Sequence, residues 1–396
     1  MDQSLVNTFR GRAALLSMSA LVFGAACAPA APAPAPAATT APTPTVPAPT
    51  PQPATAAGVG IVKDKFAGEA QALNGAGATF PAVLYTKWFN EYEKITSVKV
   101  NYQAIGSGGG IKGIADETVD LGATDGPMTD EQLKAAGADI LHIPMTLGAV
   151  VPTYNVPEAT KPINFSPETI ADIYLGAITK WNDPKIAADN PGMTLPAKDI
   201  VVVHRSDGSG TTYIFTDYLS AISPEWKTKA GLGTSVNWPV GLGGNGNQGV
   251  SGEVKQIPYS MGYVELIYAL QNKLGVGSVK NKAGKYVEPT LQSVTAAAAA
   301  FSKTVPADLR ASIVNADAPD AYPISGFTWQ LVYTRQTDKA KAQAVTRLLW
   351  WETHDGQKFS SDLGYAPLPN DIVKRAEEKI LSMTVDGAKA FPHQVQ

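Results

Sequence analysis

The sequence predicts an α/β protein in which strands alternate with helices and pair in a largely parallel sheet. The first observation is a change of composition near Leu73, where a proline- and alanine-rich stretch gives way to periodic apolar patterns. The second is that short strand patterns and amphipathic helix patterns then take turns along the chain. About 325 residues follow Leu73, which is large for one such sheet and suits two lobes.

The predicted elements follow one another in a regular order. The first helix carries an apolar stripe made of Leu84, Tyr85, Trp88, Phe89 and Tyr92. Thr129 is predicted to cap a helix over residues 130–136, and Ser166 followed by Pro167 is predicted to begin another helix. Other predicted strands cover residues 98–105, 120–123, 200–203 and 261–266, and other predicted helices cover residues 111–117, 211–219 and 250–257. The stretch 140–156 is too long and apolar for one exposed strand.

Composition limits what the protein can do. The 396-residue chain has 32 Lys and Arg residues against 35 Asp and Glu residues, so its formal net charge is −3. This balance argues against an electrostatic nucleic-acid binder, which carries a basic surplus. Hydrophobic residues make up 44% and charged residues 17%, a composition that permits a large core and argues against global disorder. Because there is one cysteine, an intramolecular disulfide and a multi-cysteine metal site are excluded.

Residues 1–27 have the pattern of a lipoprotein-type signal peptide. Two arginines precede an apolar run over residues 13–23, and small residues then lead to Cys27. The run is about half the length that spans a bilayer. The order resembles a bacterial lipobox, in which the cysteine is acylated and becomes the mature N-terminus, although Gly24 stands where leucine is usual. The alternative is an ordinary secretory signal with an incidental cysteine.

Residues 28–69 form a predicted linker rich in alanine, proline and threonine. Its first 30 residues contain ten prolines and twelve alanines and no charged residue. Such a segment cannot bury a core, and its prolines lack backbone donors. We expect a polyproline-type spacer that reaches at most about 90 Å, which suits a domain held off a membrane surface. Alternatively, the segment is neutral filler that is clipped away.

Three glycine-rich loops each precede a predicted helix, and they are Gly75–Pro81, Gly106–Gly110 and Ser206–Thr212. Glycine lets the backbone approach a ligand closely. Each helix start offers unpaired N–H groups and the positive end of the helix dipole. Hydroxyl groups add donors at Thr79, Ser107, Ser209 and Thr211. The pattern is typical of oxyanion binding, although a single Gly-Ser loop is usually only a turn.

Three charged residues lie beside these loops. Arg205 ends a predicted strand, and its guanidinium matches a tetrahedral oxyanion with two parallel hydrogen bonds. Asp207 can pair with that guanidinium and fix its orientation. Asp125 can accept the proton that phosphate carries and sulfate lacks, and a site built on such a bond discriminates by about 10⁴–10⁵. The alternatives are a surface charge for Arg205 and a capping or turn role for Asp125 before Pro127.

Five segments occur in one order along the chain, and they are Gly75–Pro81, Asn101–Ser107, Gly122–Asp125, Arg205–Thr211 and Trp238–Gly244. Together they resemble the PstS-type phosphate-binding proteins of bacterial phosphate ABC importers, and the resemblance extends from about Leu73 to Pro369. It implies a two-lobed periplasmic-binding-protein fold, class II type, that closes on one phosphate. It also implies capture and delivery to a membrane permease rather than catalysis.

The resemblance implies a role for each site residue. Eight residues would bind phosphate, and they are Thr79, Phe80 through its backbone N–H, Ser107, Asp125, Arg205, Ser209, Gly210 and Thr211. Asp125 would accept the proton of the ligand, and Asp207 would orient Arg205. No cofactor and no metal are implied. Three residues depart from the common pattern without removing a ligand group, and they are Gly108, Thr124 and His204.

The resemblance implies two lobes with the ligand between them. Lobe I would cover residues 73–151 and 327–396, and lobe II would cover residues 152–326. The crossovers near residues 148–153 and 322–328 would form the hinge. The expected partners are inorganic phosphate, the permease of a phosphate ABC importer, and the membrane through a lipid anchor, with no nucleic acid. We expect an extracytoplasmic, membrane-anchored monomer.

Three other functions stay open at this point. A secreted phosphatase would need a nucleophile with a base, or a metal pair, whereas the four histidines show no ligand spacing. Gly241–Gly246 matches the G-x-G-x-x-G dinucleotide pattern with Glu265 further on, but Trp238 and Pro239 interrupt any preceding strand, so a turn before a helix is predicted. A tethered surface protein without small-anion binding is the third alternative.

Overall fold

The computed structural model of the protein describes residues 62–301 and 304–391. Cys27, the predicted signal peptide and residues 28–61 of the predicted linker lie outside the described residues. The remaining linker residues, 62–69, pack on the fold, since Val62 is buried in the core and Glu69 pairs with Arg347 at 2.9 Å. Within the described ranges, no helix combines the length and the apolar character that crossing a bilayer requires.

The described residues form fifteen strands and twelve α-helices, numbered here in chain order. The strands are β1 (Ala72–Gly77), β2 (Lys99–Gln103), β3 (Leu121–Thr124), β4 (Ile140–Tyr154), β5 (Asn164–Phe165), β6 (Val201–Arg205), β7 (Leu242–Gly244), β8 (Ser260–Glu265), β9 (Gly275–Val276), β10 (Ser278–Lys280), β11 (Tyr286–Val287), β12 (Ser325–Tyr333), β13 (Arg335–Gln336), β14 (Thr384–Val385) and β15 (Ala388–Lys389). The helices are α1 (Ala82–Thr96), α2 (Ser107–Ala115), α3 (Asp130–Ala136), α4 (Pro167–Tyr174), α5 (Pro184–Asp189), α6 (Gly210–Ile222), α7 (Pro224–Lys229), α8 (Gly246–Gln256), α9 (Leu266–Asn272), α10 (Leu291–Phe301), α11 (Lys339–Thr353) and α12 (Asn370–Ser382).

A nine-stranded sheet has the order β2-β1-β3-β12-β4-β8-β6-β7, and β9 also pairs with β4. Its two flanks are parallel, since β1 pairs in parallel with β2 and β3, and β6 with β7 and β8. Its centre is antiparallel, where β12 pairs with β3 and β4, and β4 pairs with β8. The prediction of a largely parallel sheet is therefore wrong at the centre, because the long strands β4 and β12 run through it in opposite directions.

Strand β4 joins the two flanks of the sheet. It is one strand of fifteen residues and is buried over almost its whole length. Its residues 140–149 pair with β12, and its residues 150–154 pair with β8. At the change of partner, the Val150 N–H donates to the Ile324 carbonyl at 2.9 Å. This change falls within residues 148–153, where we expect a crossover, and the lobe boundaries stay a prediction.

Local sequence signals predict several helix starts correctly. Helix α3 begins after Thr129, whose hydroxyl accepts from the Gln132 N–H while the Gln132 side chain accepts from the Thr129 N–H. Helix α4 begins at Pro167 after Ser166, whose hydroxyl accepts from the Thr169 N–H. In α1, the five residues of the predicted apolar stripe are all buried. These features are confirmed because they depend on residues within one or two turns of each other.

Four helices begin directly after strands of the parallel flanks. Strands β1 and β2 lead into α1 and α2, and strands β6 and β7 lead into α6 and α8. The carboxyl ends of neighbouring parallel strands lie at one edge of a sheet, which is where ligands bind in α/β proteins. The fold thus places four helix N-termini, each with free N–H groups and positive potential, where loops from both flanks can meet.

Candidate anion-binding site

The first loop connects β1 with α1, and two tyrosines hold its carbonyl groups. Tyr268 Oη donates to the Thr79 carbonyl at 2.5 Å, and Tyr365 Oη donates to the Phe80 carbonyl at 2.7 Å. In a trans peptide the C=O and the following N–H point in opposite directions. The bond from Tyr268 therefore turns the Phe80 N–H away from Tyr268. The binding role of the Phe80 N–H stays a prediction.

The loop needs glycine at Gly77, which has a φ of +143°. A Cβ atom there would lie 2.1 Å from the Ala123 carbonyl oxygen. The next residue, Ala78, donates its N–H to that same oxygen at 2.9 Å. The close approach of β1 and β3 thus sets the course of the first loop, because only glycine fits between them.

Ser107 is the first residue of α2 and is completely buried. Its Oγ accepts from the Gly210 N–H at 3.0 Å and from the Asp125 N–H at 3.2 Å. A hydroxyl has two acceptor positions and one hydrogen. Because both acceptor positions are used, the Ser107 hydroxyl can act toward any further group only as a donor. Its donation to a ligand stays a prediction, since the Asp125 carboxyl also receives a hydrogen bond from Ser107.

Asp125 directly follows β3 and is 1% exposed. Thr328 Oγ1 donates to its Oδ1 at 2.8 Å. Burial raises the pKa of Asp125 to about 7, although the Thr328 hydrogen bond, the Arg205 charge and the Ser107 hydrogen bond act to lower it. Near neutral pH this carboxyl exists both with and without its proton. In its ionised form it can accept a hydrogen bond from a ligand that carries a proton.

Arg205 ends β6 and is 3% exposed. Its Nε and Nη2 donate to the two carboxylate oxygens of Asp207 at 2.7 and 2.5 Å, and its Nη1 donates to Thr211 Oγ1 at 3.3 Å. Burial alone would raise the pKa of Asp207, but the hydrogen bonds and charge of Arg205 outweigh it and hold that pKa below its usual range. The structure thus contains the Arg205–Asp207 pair, and the orienting role of Asp207 toward a ligand stays a prediction.

The third loop leads into α6 through Ser209, Gly210 and Thr211, all buried. Ser209 Oγ caps the helix by accepting from the Thr212 N–H at 3.0 Å. A Cβ atom at Gly210 would lie 2.5 Å from Ser107 Oγ and 2.6 Å from the Asp125 nitrogen. Glycine is needed at this position because the second loop and the end of β3 approach its Cα so closely.

The structure places most of the predicted site residues in two buried hydrogen-bonded groups that are adjacent in the chain at Gly210 and Thr211. Ser107 joins Asp125 to Gly210, and Thr211 accepts from Arg205. Within the described part of the chain, the Ser209 side chain makes only its cap bond to Thr212, and the Phe80 ring lies so close to Gly148 that a Cβ atom there would be 2.6 Å from Phe80 Cζ. Among the described residues, no group of three or more His, Cys, Asp and Glu side chains is placed to hold a metal ion.

Sequence reasoning missed Asn247, which connects Thr79 to the group that contains Arg205 and Thr211. Its Nδ2 donates to Thr79 Oγ1 at 2.9 Å and to Thr211 Oγ1 at 3.0 Å. The segment before it is predicted only as a turn, whereas the structure has β7 and then α8 from Gly246 onward. A signal was present, since Gly241–Gly246 is a fourth glycine-rich loop that precedes a helix.

Thr328 was missed for a different reason. It lies inside the apolar strand β12, and only the pairing register of that strand brings it to Asp125.

Glu265, the acidic residue of the dinucleotide alternative, is buried at the end of β8. Its carboxyl oxygen Oε2 accepts from the Ile267 N–H at 3.0 Å and lies 3.2 Å from Tyr365 Oη, so it caps α9 and contacts the tyrosine that holds the first loop.

Known proteins are similar in sequence to most of this chain. A sequence model described as a PBP superfamily domain matches residues 34–349. The phosphate-binding protein PstS of Pasteurella multocida is 44% identical over 310 residues, which cover 78% of this chain and 90% of that protein. The phosphate-binding protein PstS of Methanocaldococcus jannaschii is 41% identical over 322 residues, which cover 75% of this chain and 82% of that protein.

Solved structures agree on the fold. A high-affinity periplasmic phosphate-binding protein, PfluDING, determined with bound phosphate, superposes with a TM-score of 0.62 at 20% identity, covering 78% of this chain and 93% of that chain. A phosphate-binding protein from Stenotrophomonas maltophilia gives a TM-score of 0.59 at 19% identity, covering 78% of this chain and 94% of that one. The two-lobed class of fold implied by the sequence is thus confirmed. The chain belongs to the PstS family of the PBP superfamily.

Proposed function

We propose that this protein is an extracytoplasmic substrate-binding protein that captures inorganic phosphate and delivers it to an ABC importer. The observation that carries the proposal is the convergence of hydroxyl, amide and guanidinium donors with one buried carboxyl, Asp125. The PstS relatives at 41–44% identity support it, since they are phosphate-binding proteins.

The chemistry of the donors suits one small, doubly charged oxyanion. The ligand residues we propose are Thr79, Phe80, Ser107, Asp125, Arg205, Ser209, Gly210 and Thr211. Helices α1, α2, α6 and α8 direct their N-termini to the region and favour negative charge there. Charge-assisted hydrogen bonds in a water-poor site are the strong ones. Asp207 accepts from Nε and Nη2 of Arg205 and Thr211 accepts from Nη1, which leaves one N–H on each Nη for the ligand.

A carboxyl among these donors distinguishes phosphate from sulfate. Phosphate near neutral pH carries one or two protons, and one of them is shared in a hydrogen bond to Asp125. Sulfate has no proton, so one of its oxygens would face the carboxylate without a hydrogen bond. A group left unpaired in this way is costly in a buried site. The site therefore selects phosphate through the hydrogen that the ligand brings.

Capture occurs between two lobes, residues 73–151 with 327–396 and residues 152–326. The second and third loops touch, since the Gly108 N–H donates to the Gly208 carbonyl at 2.8 Å. A ligand that contacts both lobes binds the closed form better than the open form and so favours closure. The closed form is the one that the permease recognises.

The donor set favours binding over turnover. Hydrolysis of a phosphomonoester would require a nucleophile with a base, or a metal pair, together with an acid for the leaving group. Asp125 accepts from Thr328 Oγ1 and is the one carboxyl among the proposed ligand residues, and the guanidinium of Arg205 is a donor that cannot act as a nucleophile. We therefore propose that the protein is not an enzyme. Turnover of a phosphomonoester that is lost in Asp125→Ala would favour a phosphatase instead.

Attachment to the membrane would come from acylation at Cys27, followed by the predicted spacer that leads to the folded part at Val62. The folded protein would act as a tethered monomer on the outer side of the cytoplasmic membrane. Replacement Cys27→Ser is expected to release the protein into the soluble fraction after cell fractionation. Membrane attachment that persists in this variant would contradict the anchor, while phosphate binding would be unaffected by either result.

Titration calorimetry tests the binding function. The purified protein is titrated with phosphate, sulfate and arsenate at one pH near neutrality. We expect one phosphate per chain and sulfate affinity weaker by a factor of at least about 10³. Absence of phosphate binding, or equal affinities for phosphate and sulfate, would contradict the proposal. Arsenate, which also carries a proton, measures how much the selection depends on ion size.

A further inference from the structure

Asn247 lies where the first and third loops meet, on the second residue of α8. It is completely buried. Besides the two side-chain bonds to Thr79 and Thr211, its backbone N–H donates to Thr79 Oγ1 at 3.2 Å. One residue thus contacts a hydroxyl from each of the two proposed lobes, although Asn247 is not among the proposed ligand residues.

A hydrogen bond to its oxygen fixes the orientation of the Asn247 side-chain amide. The Glu265 N–H donates to Asn247 Oδ1 at 2.9 Å. Because the oxygen is held by a backbone donor, the nitrogen with its two hydrogens must face the threonine hydroxyls. Each polar atom of the side chain then has a partner, and the amide is rigid in this position.

The hydrogen bonds from Asn247 decide whether the hydroxyls of Thr79 and Thr211 can still accept a further hydrogen. Thr79 Oγ1 accepts two N–H groups from Asn247, and Thr211 Oγ1 accepts one from Asn247 and one from Arg205. A hydroxyl oxygen has two acceptor positions. In both threonines these positions are filled by donors, so each hydroxyl can only donate its own hydrogen elsewhere. The Ser107 hydroxyl has its acceptor positions filled in the same way, by the N–H groups of Asp125 and Gly210.

We propose that Asn247 is a positioning residue that makes Thr79 and Thr211 act as donors toward the bound anion and links the two lobes in the closed form. This inference rests on the proposed function, in which the anion is phosphate. A neutral amide suits this role because it donates twice without adding charge. An aspartate of the same shape would accept the hydroxyl hydrogens and turn both threonines away from the ligand.

Two variants and one control test the role by calorimetry with phosphate. Asn247→Asp is expected to lower affinity at least about 100-fold, because two donors are lost and a negative charge is added. Asn247→Ala leaves the hydroxyls free to rotate and is expected to cost about tenfold. The control is Asn245→Asp, which adds the same charge two residues earlier at an exposed side chain without a capping bond. Because this exposed charge is screened by water and salt, it is expected to cost much less affinity than Asn247→Asp.

A double-mutant cycle separates positioning from a general structural effect. If Asn247 acts through the hydroxyl of Thr79, Asn247→Ala must cost clearly less in a Thr79→Val background than in the wild type. A structural role would give additive losses. Thermal unfolding of the ligand-free proteins shows whether each variant is folded at the titration temperature, and only folded variants enter the cycle.

The outcomes distinguish this inference from the proposed function. If the wild type binds phosphate but Asn247→Asp binds equally well, the positioning role is wrong and the proposed function stands. Additive losses in the cycle likewise overturn the positioning role alone. A wild type that binds no phosphate would overturn both. A large loss in Asn247→Asp, a small loss in Asn245→Asp and a non-additive cycle together support the proposal.

Discussion

The Gly210 N–H donates to Ser107 Oγ over 3.0 Å, and these two residues are the first residues of α6 and α2. One hydroxyl therefore joins two helix N-termini that are 103 residues apart in the chain. Both helix ends carry positive potential and would repel each other without an intervening acceptor. The Ser107 oxygen supplies that acceptor from within the protein, and the proposed phosphate would supply a stronger one.

The contact leaves no room for a side chain at Gly210. In Gly210→Ala, the added Cβ would lie 2.5 Å from Ser107 Oγ, so the two loops must separate. We expect phosphate affinity to fall at least about 100-fold, since donors from the two loops could not reach one ion. The matched control is Gly252→Ala inside α8, where a Cβ meets nothing within 4 Å. It should keep its affinity and gain about 0.5–1 kcal/mol of stability in a denaturant titration. Wild-type affinity in Gly210→Ala would show that close contact of the loops is unnecessary.

Arg205 should not tolerate lysine. Arg205→Lys keeps the positive charge but loses the planar fork that binds Asp207 and Thr211 at once. We expect a loss of phosphate affinity of about 10²-fold or more in equilibrium dialysis. The exposed residue Arg335 offers a control, since Arg335→Lys changes the same group away from the site. If both variants bind alike, charge alone accounts for the contribution of Arg205.

In Asp125→Asn, the selectivity for phosphate over sulfate should fall more than the affinity for anions in general. An amide can donate to sulfate, so the ratio of phosphate to sulfate affinity should fall by at least about tenfold. Competition dialysis with the two ions measures this ratio directly. Asp116→Asn, an exposed carboxylate in α2's C-terminal cap, removes the same charge as a control. An unchanged ratio in Asp125→Asn would refute the proton-acceptor role.

Asp125→Asn should also change how the stability of the protein depends on pH. The folded state raises the Asp125 pKa from 3.8 to about 7. A raised carboxyl pKa contributes stability below about pH 4, and this contribution is lost as the pH rises through 7. The ligand-free wild type should therefore lose stability between pH 5 and pH 8 relative to Asp125→Asn, by roughly 1–3 kcal/mol. Denaturant titrations of both proteins at the two pH values measure the difference, and a difference that does not change with pH would contradict the raised pKa.

Features that depend on near neighbours in the chain could be predicted from the sequence. The capping box at Thr129 and the start of α4 at Pro167 are set within a few residues, and the structure has both. The three loops could also be predicted, because glycine followed by a helix start is a local pattern. The antiparallel centre of the sheet could not, since β12 and β4 pair across about 180 residues and either direction would bury their apolar side chains.

The site was predictable to the extent that its residues lie in the glycine-rich loops. Asn247 was not identified because asparagine beside glycine is typical of a turn, and its role depends on distant contacts with Thr79 and Thr211. Thr328 was not identified because a threonine in an apolar strand carries no functional signal until the strand's register is known. Residues that hydrogen-bond to the proposed ligand residues are thus harder to identify from the sequence than the ligand residues themselves.

A crystal structure of the protein with bound phosphate would show whether the proposed ligand residues meet at one ion. We expect one phosphate that receives hydrogen bonds from Thr79, Ser107, Arg205 and Thr211 and lies within hydrogen-bond distance of an Asp125 carboxyl oxygen. The Asn247 amide should still contact both threonines in that complex. A phosphate bound elsewhere, or bound without contact to Asp125 and Arg205, would rule out the proposed site.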